Sequence, residues 1–264
     1  MLLAEPIWSR SQMTIELNDP KPSTTATSCQ VSRGVSFFGQ HGDDRVVFDI
    51  FFSHPPKCKG TVVEIGGCTG KSLSNSWFFE YALNWRAVLV EALPSNFALM
   101  VENRPGATNV LGAVCPGKSV MFRTGKGNPT GGIADAMSKK HMEGYTDEKS
   151  VLVEVPCLLL SDVLKNNGID HVDLFFLDVE GAEGIVLDTF DWSIPIDVII
   201  VELDGTDAPK DKSVRTTLQS RGYIAPMSWQ QECKKRLKVS DCFRNELFVL
   251  ETFWNERKRM LAAS

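Results

Sequence analysis

The stretch Thr61–Gly70, TVVEIGGCTG, decides the fold. Its first five residues are mostly β-branched and apolar, which predicts a buried strand with the acidic residue Glu64 close to its end. Gly66, Gly67 and Gly70 follow, and glycines let a turn approach a ligand without a Cβ in the way. The segment therefore predicts a strand that leads into a ligand-binding loop, and a tight turn without a ligand is the plainer alternative.

The spacing of these glycines excludes two common nucleotide-binding loops. A dinucleotide fingerprint reads G-x-G-x-x-G, but the residue two positions after Gly66 is Cys68. The lysine loop of nucleoside triphosphatases needs a glycine five positions before Gly70, and that residue is Ile65. A nicotinamide oxidoreductase is therefore disfavoured, whereas an acidic residue followed by Gly-x-x-x-Gly is similar to the methionine-end loop of S-adenosylmethionine enzymes.

Apolar strands alternate with helical stretches through the rest of the chain. Besides the first strand, the predicted strands are Ala87–Glu91, Thr108–Val114, Val172–Asp178, Asp197–Leu203 and Glu246–Glu251. The predicted helices are Val46–Phe52, Ser74–Leu83, Ser95–Asn103, Leu158–Asn167, Ala182–Phe190 and Asp211–Arg221. This alternation predicts a mostly parallel sheet covered by helices on both faces. The polar, glycine-rich segment Gly117–Ser150 interrupts it, and we expect a functional loop or a disordered segment there.

Acidic residues stand where the predicted strands end, which is the sheet edge at which α/β proteins bind ligands. A carboxylate at Glu91 can accept hydrogen bonds from two vicinal ribose hydroxyls. Asp178 and Glu180 belong to a run of acids that is costly unless a cation or hydrogen-bond donors face it. Solvated strand ends, and a helix N-terminus for the later acids, are the plainer interpretations. A divalent metal held by Asp178 and Glu202 stays an open alternative, but no ligand spacing supports it, and we assign no metal ligands.

The bulk properties narrow the function further. The chain is 43% hydrophobic and 23% charged with a net charge of −5, which is typical of a globular protein and argues against nucleic acid as a partner. Seven scattered cysteines without a Cys-x-x-Cys pair predict reduced thiols in the core. No signal peptide or membrane span is evident, so a cytoplasmic location is expected. We predict a mobile leader over residues 1–30, one domain over 31–254 and a C-terminal tail over 255–264.

Several blocks, in order, resemble the FkbM family of methyltransferases, and its eukaryotic branch most of all. They include Gly60–Gly70, Trp85–Asn103, Val153–Asp162, Val172–Glu183 and Val198–Asp204. The resemblance implies a Rossmann-like class I methyltransferase fold, with a mostly parallel seven-stranded sheet and an antiparallel last strand. It also implies S-adenosylmethionine as the methyl donor and a hydroxyl of a sugar or small metabolite as the acceptor.

The resemblance also assigns candidate residues. Cofactor contacts are expected at Glu64, Gly66, Gly67, Gly70, Glu91, Ala113 and Asp178. For a general base we favour Asp178, followed by Glu180 and by His141, which lies near the end of the irregular segment. Cys68 departs from the family, where many members carry Asn. Some animal relatives, the Star-like proteins, act in membrane trafficking, so a non-catalytic protein of that kind is the alternative.

Overall fold

The computed structural model describes residues 14–15, 31–126, 130–237 and 244–263. The strands are β1 (Thr14–Ile15), β2 (Thr61–Ile65), β3 (Arg86–Glu91), β4 (Thr108–Leu111), β5 (Ala113–Val114), β6 (Ser119–Arg123), β7 (Gly132–Ile133), β8 (Leu152–Leu158), β9 (Val172–Leu177), β10 (Ile196–Glu202), β11 (Tyr223–Ile224) and β12 (Asn245–Leu250). The helices are α1 (Asp43–Val47), which continues as a π-helix over Phe48–Phe52, α2 (Trp77–Leu83), α3 (Pro94–Asn103), α4 (Lys139–Tyr145), α5 (Leu160–Asn166), α6 (Glu183–Thr189), α7 (Ala208–Ser220), α8 (Trp229–Leu237) and α9 (Glu251–Ala263).

The main sheet has the strand order β1-β4-β3-β2-β9-β10-β12-β11. Strands β4, β3, β2, β9 and β10 are parallel, and β12 pairs antiparallel with β10. Apart from the short β1, this is the predicted seven-stranded sheet with its antiparallel last strand. Strands β9 and β10 are buried along their whole length, as expected for strands covered by helices on both faces. All the parallel strands end at one edge of the sheet.

The prediction of an irregular segment over Gly117–Ser150 is wrong. This part of the chain contains β6, β7 and α4, and β6 pairs antiparallel with β8. The single strand predicted over Thr108–Val114 is also divided, because Gly112 (φ 149°) turns the chain from β4 into β5. Strands β5, β8, β6 and β7 form a second sheet, which we call the cap sheet.

A disulfide between Cys115 and Cys157 joins the end of β5 to β8, so the prediction of reduced thiols is wrong for this pair. Cys58 is disulfide-bonded as well. The partners are 42 residues apart in sequence, and their pairing follows from the parallel contact of β5 with β8 rather than from a local motif. Structural disulfides are rare in cytosolic proteins, so the cytoplasmic location loses its support.

The two ends of the chain differ in detail from their predicted roles. Within the predicted leader the structure describes Thr14–Ile15, which pair antiparallel with β4, and the remainder of the leader lies outside the described residues. The predicted tail is part of helix α9 as far as Ala263, and Arg257 anchors this helix by donating hydrogen bonds to the carbonyl oxygens of Ile50 and His54. Among the helices that the structure describes, none has the length and apolar character needed to cross a bilayer.

The Cys115–Cys157 disulfide predicts a measurable effect on stability. Closing a loop of 42 residues restricts the unfolded chain, and removing such a link costs about 2–4 kcal/mol in the free energy of unfolding. We expect this loss for C115A/C157A in urea denaturation without reductant. The matched control is C233A, which removes a buried thiol elsewhere in the core. An unchanged urea midpoint in the double variant would contradict the assigned bond.

Candidate functional site

A cavity of about 460 Å³ opens at the carboxyl ends of the parallel strands. Its floor is formed by the loops that follow β2, β3 and β9, and the cap sheet contributes Phe122 and Ile133 to the opposite wall. Of the predicted cofactor residues, Glu64, Gly66, Gly67, Glu91, Ala113 and Asp178 all line this cavity. Gly70 lies behind its wall, against α3.

Neighbouring atoms leave little room for a Cβ at the glycines after β2. A Cβ on Gly66 (φ +87°) would lie 2.1 Å from the carbonyl oxygen of Asp178, at the end of the neighbouring strand. A Cβ on Gly67 or Gly70 would lie 2.9 Å from a side-chain atom of Met100. Contacts this short force a shift, and Gly66 and Gly70 (φ +74°) also adopt the left-handed region that favours glycine. The loop therefore owes its shape to its neighbours in the fold, and this shape exposes backbone to the cavity.

Glu64 is buried and its carboxylate is largely committed to the loop before α2. Oε2 accepts hydrogen bonds from the hydroxyls of Ser74 (2.7 Å) and Ser76 (2.6 Å) and from the Ser76 amide (3.3 Å). Oε1 accepts one hydrogen bond, from the Asn75 amide (2.7 Å). A carboxylate offers about four acceptor positions, so most of those on Glu64 are filled by this loop.

Glu91 closes β3 and occupies another part of the cavity wall. Its two carboxylate oxygens each accept one backbone hydrogen bond, from Cys68 (2.9 Å) and Leu93 (2.8 Å), and the Asn96 side chain and the Ala92 amide also favour the ionised carboxylate. Burial raises the pKa of Glu91 to about 7 despite these hydrogen bonds. Asn96, on the first turns of α3, also lines the cavity, and its buried Oδ1 has no hydrogen-bond partner. Unpaired buried acceptors are uncommon in proteins, and they point to a ligand with hydrogen-bond donors.

Asp178, Glu180 and Glu202 form an acid cluster in the same cavity, with oxygen atoms within 4.8 Å of one another. Burial raises the pKa of Asp178 to about 6 and that of Glu180 to about 9, and the pKa of Glu202 lies well above its usual value. Repulsion between the three carboxylates adds to the effect of burial for Glu180 and Glu202. The spacing would admit a cation, but no second feature of the described residues points to a metal.

His141 stands behind Glu180 instead of at the cavity wall. Ser138 caps α4 by accepting a hydrogen bond from the His141 amide (3.0 Å), which fixes the start of the helix. The His141 ring places Nδ1 3.1 Å from Glu180 Oε2 and Nε2 3.2 Å from the carbonyl oxygen of Thr130. The carbonyl only accepts, so Nε2 carries a proton and Nδ1 is left to share one with Glu180.

Sequence reasoning missed two residues that line the cavity near the acid cluster, Tyr145 and Arg244. Tyr145 lies one turn after His141 on α4, and its hydroxyl accepts a hydrogen bond from Arg244. Arg244 also lies 4.0 Å from Glu202, and its positive charge acts to lower the pKa values of Asp178 and Glu180. The i, i+4 spacing of His141 and Tyr145 was a usable signal, but only after α4 had been recognised.

A family model described as the methyltransferase FkbM domain matches residues 64–225, which is more than half of the 264-residue chain. The chain belongs to the FkbM methyltransferase family. S-adenosylmethionine is the methyl donor of this family, as the sequence predicts. No curated protein matches the chain.

Solved structures of other methyltransferases are similar at a low level. Fibrillarin from Aeropyrum pernix, with natively bound S-adenosyl-L-methionine, is 13% identical, with 73% of this chain and 67% of that chain covered and a TM-score of 0.40. Precorrin-6y C5,15-methyltransferase from Geobacter metallireducens is 11% identical, with coverages of 74% and 77% and a TM-score of 0.40. The O-methyltransferase from Bacillus cereus in complex with S-adenosylhomocysteine is 12% identical, with coverages of 72% and 73% and a TM-score of 0.35. These scores are too low to bear on the function of the FkbM domain.

The cavity of this FkbM domain fits the family's cofactor in its chemistry. The carboxylate of Glu91 and the unpaired Oδ1 of Asn96 are acceptors for the hydroxyl and amino donors of an adenosyl group. Several acids at the cavity wall, among them Glu64 and Asp178, suit a ligand with a net positive charge.

Glu91 gives a prediction about the pH dependence of stability. Its pKa is raised from 4.5 to about 7, so between these values the folded protein keeps a proton that the unfolded chain has lost. Stability therefore falls as the pH rises through this window, and E91Q, which cannot ionise, escapes the loss. We expect the stability of E91Q relative to the wild type to rise by up to about 3 kcal/mol from pH 4.5 to 7.5.

This prediction is checked by urea denaturation of the ligand-free protein at a series of pH values. The control is E102Q at an exposed position of α3, whose difference from the wild type should not depend on pH. If the curves of E91Q and the wild type run parallel over the whole range, the assigned burial of the Glu91 charge is wrong.

Proposed function

We propose that this FkbM domain is an S-adenosylmethionine-dependent O-methyltransferase that acts on a hydroxyl of a sugar or small metabolite. The observation that carries the proposal is the arrangement of buried acids along one cavity. Glu91 lies in one part of the wall, and the acid cluster with Glu180 lies in another. A donor and an acceptor can thus be held side by side, and such positioning contributes at best about 7–11 kcal/mol to lowering a barrier.

The cofactor contacts that we propose follow from the strand ends. Glu91 accepts hydrogen bonds from the ribose hydroxyls, and the loop with Gly66 and Gly67 presents its backbone to the methionine end. Ala113, at the start of the buried β5, offers main-chain contacts to the adenine ring of the cofactor. When bound, S-adenosylmethionine supplies an electrophilic methyl group.

Asp178 and Glu180 both line the cavity, and Glu180 is the general base that we favour because the His141 ring lies behind it. With its pKa raised to about 9, Glu180 is protonated at neutral pH in the ligand-free protein. A cationic ligand in the same cavity favours the ionised form and lowers the pKa. Cofactor binding would thereby prepare Glu180 to accept the proton of an acceptor hydroxyl. We assign His141 a supporting part, since it touches Glu180 and not the cavity.

The charge of the cavity supports an uncharged acceptor. Its described lining contains five acids: Glu64, Glu91, Asp178, Glu180 and Glu202. The basic side chains in this lining are Arg244 and the histidine His41. Like charges in a site of low polarity repel one another. A neutral polyol therefore fits better than a phosphorylated sugar or a uronic acid.

The first test of this function is calorimetry with S-adenosylhomocysteine. We expect the wild type to bind and E91A to bind about 10–100-fold more weakly, because removing an acceptor leaves the ribose donors without partners. E102A on exposed α3 serves as the control and should bind as the wild type does. No heat above background at millimolar ligand would favour the non-catalytic alternative, a Star-like protein, and unchanged affinity in E91A would overturn the ribose assignment.

The second test is a methyl-transfer screen of neutral sugars and small hydroxylated metabolites with labelled donor. For any acceptor found, E180Q should lower kcat by about 10²–10⁴-fold, the usual contribution of a general base. Its affinity for S-adenosylhomocysteine should stay within twofold of the wild type, because Glu180 is placed on the acceptor side. A variant that keeps its full kcat would remove Glu180 from the mechanism and return the role to Asp178.

A further inference from the structure

Arg104 is fully buried and lies directly beneath the loop that shapes the cavity. Its guanidinium donates hydrogen bonds to the carbonyl oxygen of Gly70 (2.9 Å) and to the hydroxyls of Ser74 (3.1 Å) and Ser76 (3.2 Å). Nε donates to Glu80 at 2.5 Å, so the buried cation has one direct counter-ion. The planar guanidinium thereby ties the two ends of the segment from Gly70 to Ser76 to one rigid group.

The same two serines connect Arg104 to Glu64. Each hydroxyl accepts a hydrogen bond from Arg104 and donates its proton to Glu64 Oε2. Ser74 and Ser76 are 2% and 0% exposed, so the network is closed to solvent. Each of the two hydroxyls therefore both accepts and donates a hydrogen bond within the network. A buried hydrogen-bond network whose groups are satisfied in this way is rigid.

The network acts on the cavity through the residues between its anchor points. Ser72, Leu73 and Asn75 line the cavity, and all three lie on the segment that Arg104 and Glu64 hold at both ends. Glu91 is held by other donors, the amides of Cys68 and Leu93, which are not part of this network. Disturbing the network should therefore change one end of the cavity and leave the nucleoside end in place.

We infer that Arg104, Ser74 and Ser76, together with Glu64, are positioning residues for the methionine end of the cofactor. Glu64 acts here mainly through the loop it organises, with one acceptor position left toward the ligand. The inference rests on the proposed cofactor site and adds the residues that fix the shape of one end of it. The network shapes the part of the cavity that receives the amino-acid moiety, and Glu91 serves the adenosyl moiety.

Two ligands separate these roles without any acceptor. S-adenosylhomocysteine carries the amino-acid moiety, and 5′-methylthioadenosine has the same thioether-linked adenosyl group without it. In calorimetry, S74A/S76A should raise the Kd for S-adenosylhomocysteine at least tenfold and leave the Kd for 5′-methylthioadenosine within twofold. R104K keeps the positive charge but loses the planar guanidinium with its several donors. It should also raise the Kd for S-adenosylhomocysteine more than the Kd for 5′-methylthioadenosine.

The control is S161A, which removes a buried hydroxyl (4% exposed) that accepts a hydrogen bond from the Asp191 amide on another side of the sheet. It should lower the thermal midpoint without changing either Kd. Equal weakening of both ligands by S74A/S76A, or no weakening of either, would overturn the inference. So would a wild type that binds both ligands equally, although the proposed function would survive that result. A wild type that binds neither ligand would remove the proposed cofactor site and the inference with it.

Discussion

The ends of four adjacent parallel strands place buried or half-buried carboxylates around one cavity, and the rest of the site is arranged to accommodate their charge. Glu64, Glu91, Asp178 and Glu202 follow or close β2, β3, β9 and β10. Taking a carboxylate out of water favours its neutral form. The environment of the carboxylate differs at each position. Glu64 accepts hydrogen bonds from serine hydroxyls that Arg104 contacts in turn, and Glu91 accepts them from backbone amides. In the acid cluster the pKa values of Asp178 and Glu202 are raised.

A cavity built in this way is suited to a cationic ligand more than to an anionic one. Glu91 and Glu180, whose pKa values burial raises to about 7 and about 9, hold protons to a large extent at neutral pH when the cavity is without a cation, and a positive charge would favour their ionised forms. Binding of a sulfonium cofactor and preparation of the base at Glu180 are therefore one electrostatic event in our proposal. Helix α4, which follows the cap sheet's strand β7, contributes to it, because it brings His141 to Glu180 and Tyr145 to Arg244 from outside the main sheet.

The main sheet could be predicted from sequence because its strands are continuous apolar runs with local turn signals, as in Thr61–Gly70 and Val172–Leu177. The cap sheet could not, because β6 and β7 have only five and two residues. They are stabilised by pairing of β6 with β8 and of β7 with β6, and by packing around Phe122 and Val155. The disulfide was missed for a related reason, since only the folded chain brings Cys115 to Cys157. Glu91 was found by its position after a strand, whereas Arg104 was not singled out, because its partners belong to a loop more than 25 residues earlier.

A crystal structure with bound S-adenosylhomocysteine would test the central claim most directly. Our account places the adenosyl group along β3 with its ribose hydroxyls within hydrogen-bond distance of Glu91, and the amino-acid moiety against the segment from Gly70 to Ser76. The thioether sulfur should face the acid cluster. Electron density for the ligand in any other place, or in this cavity with the ribose turned away from Glu91, would contradict the account.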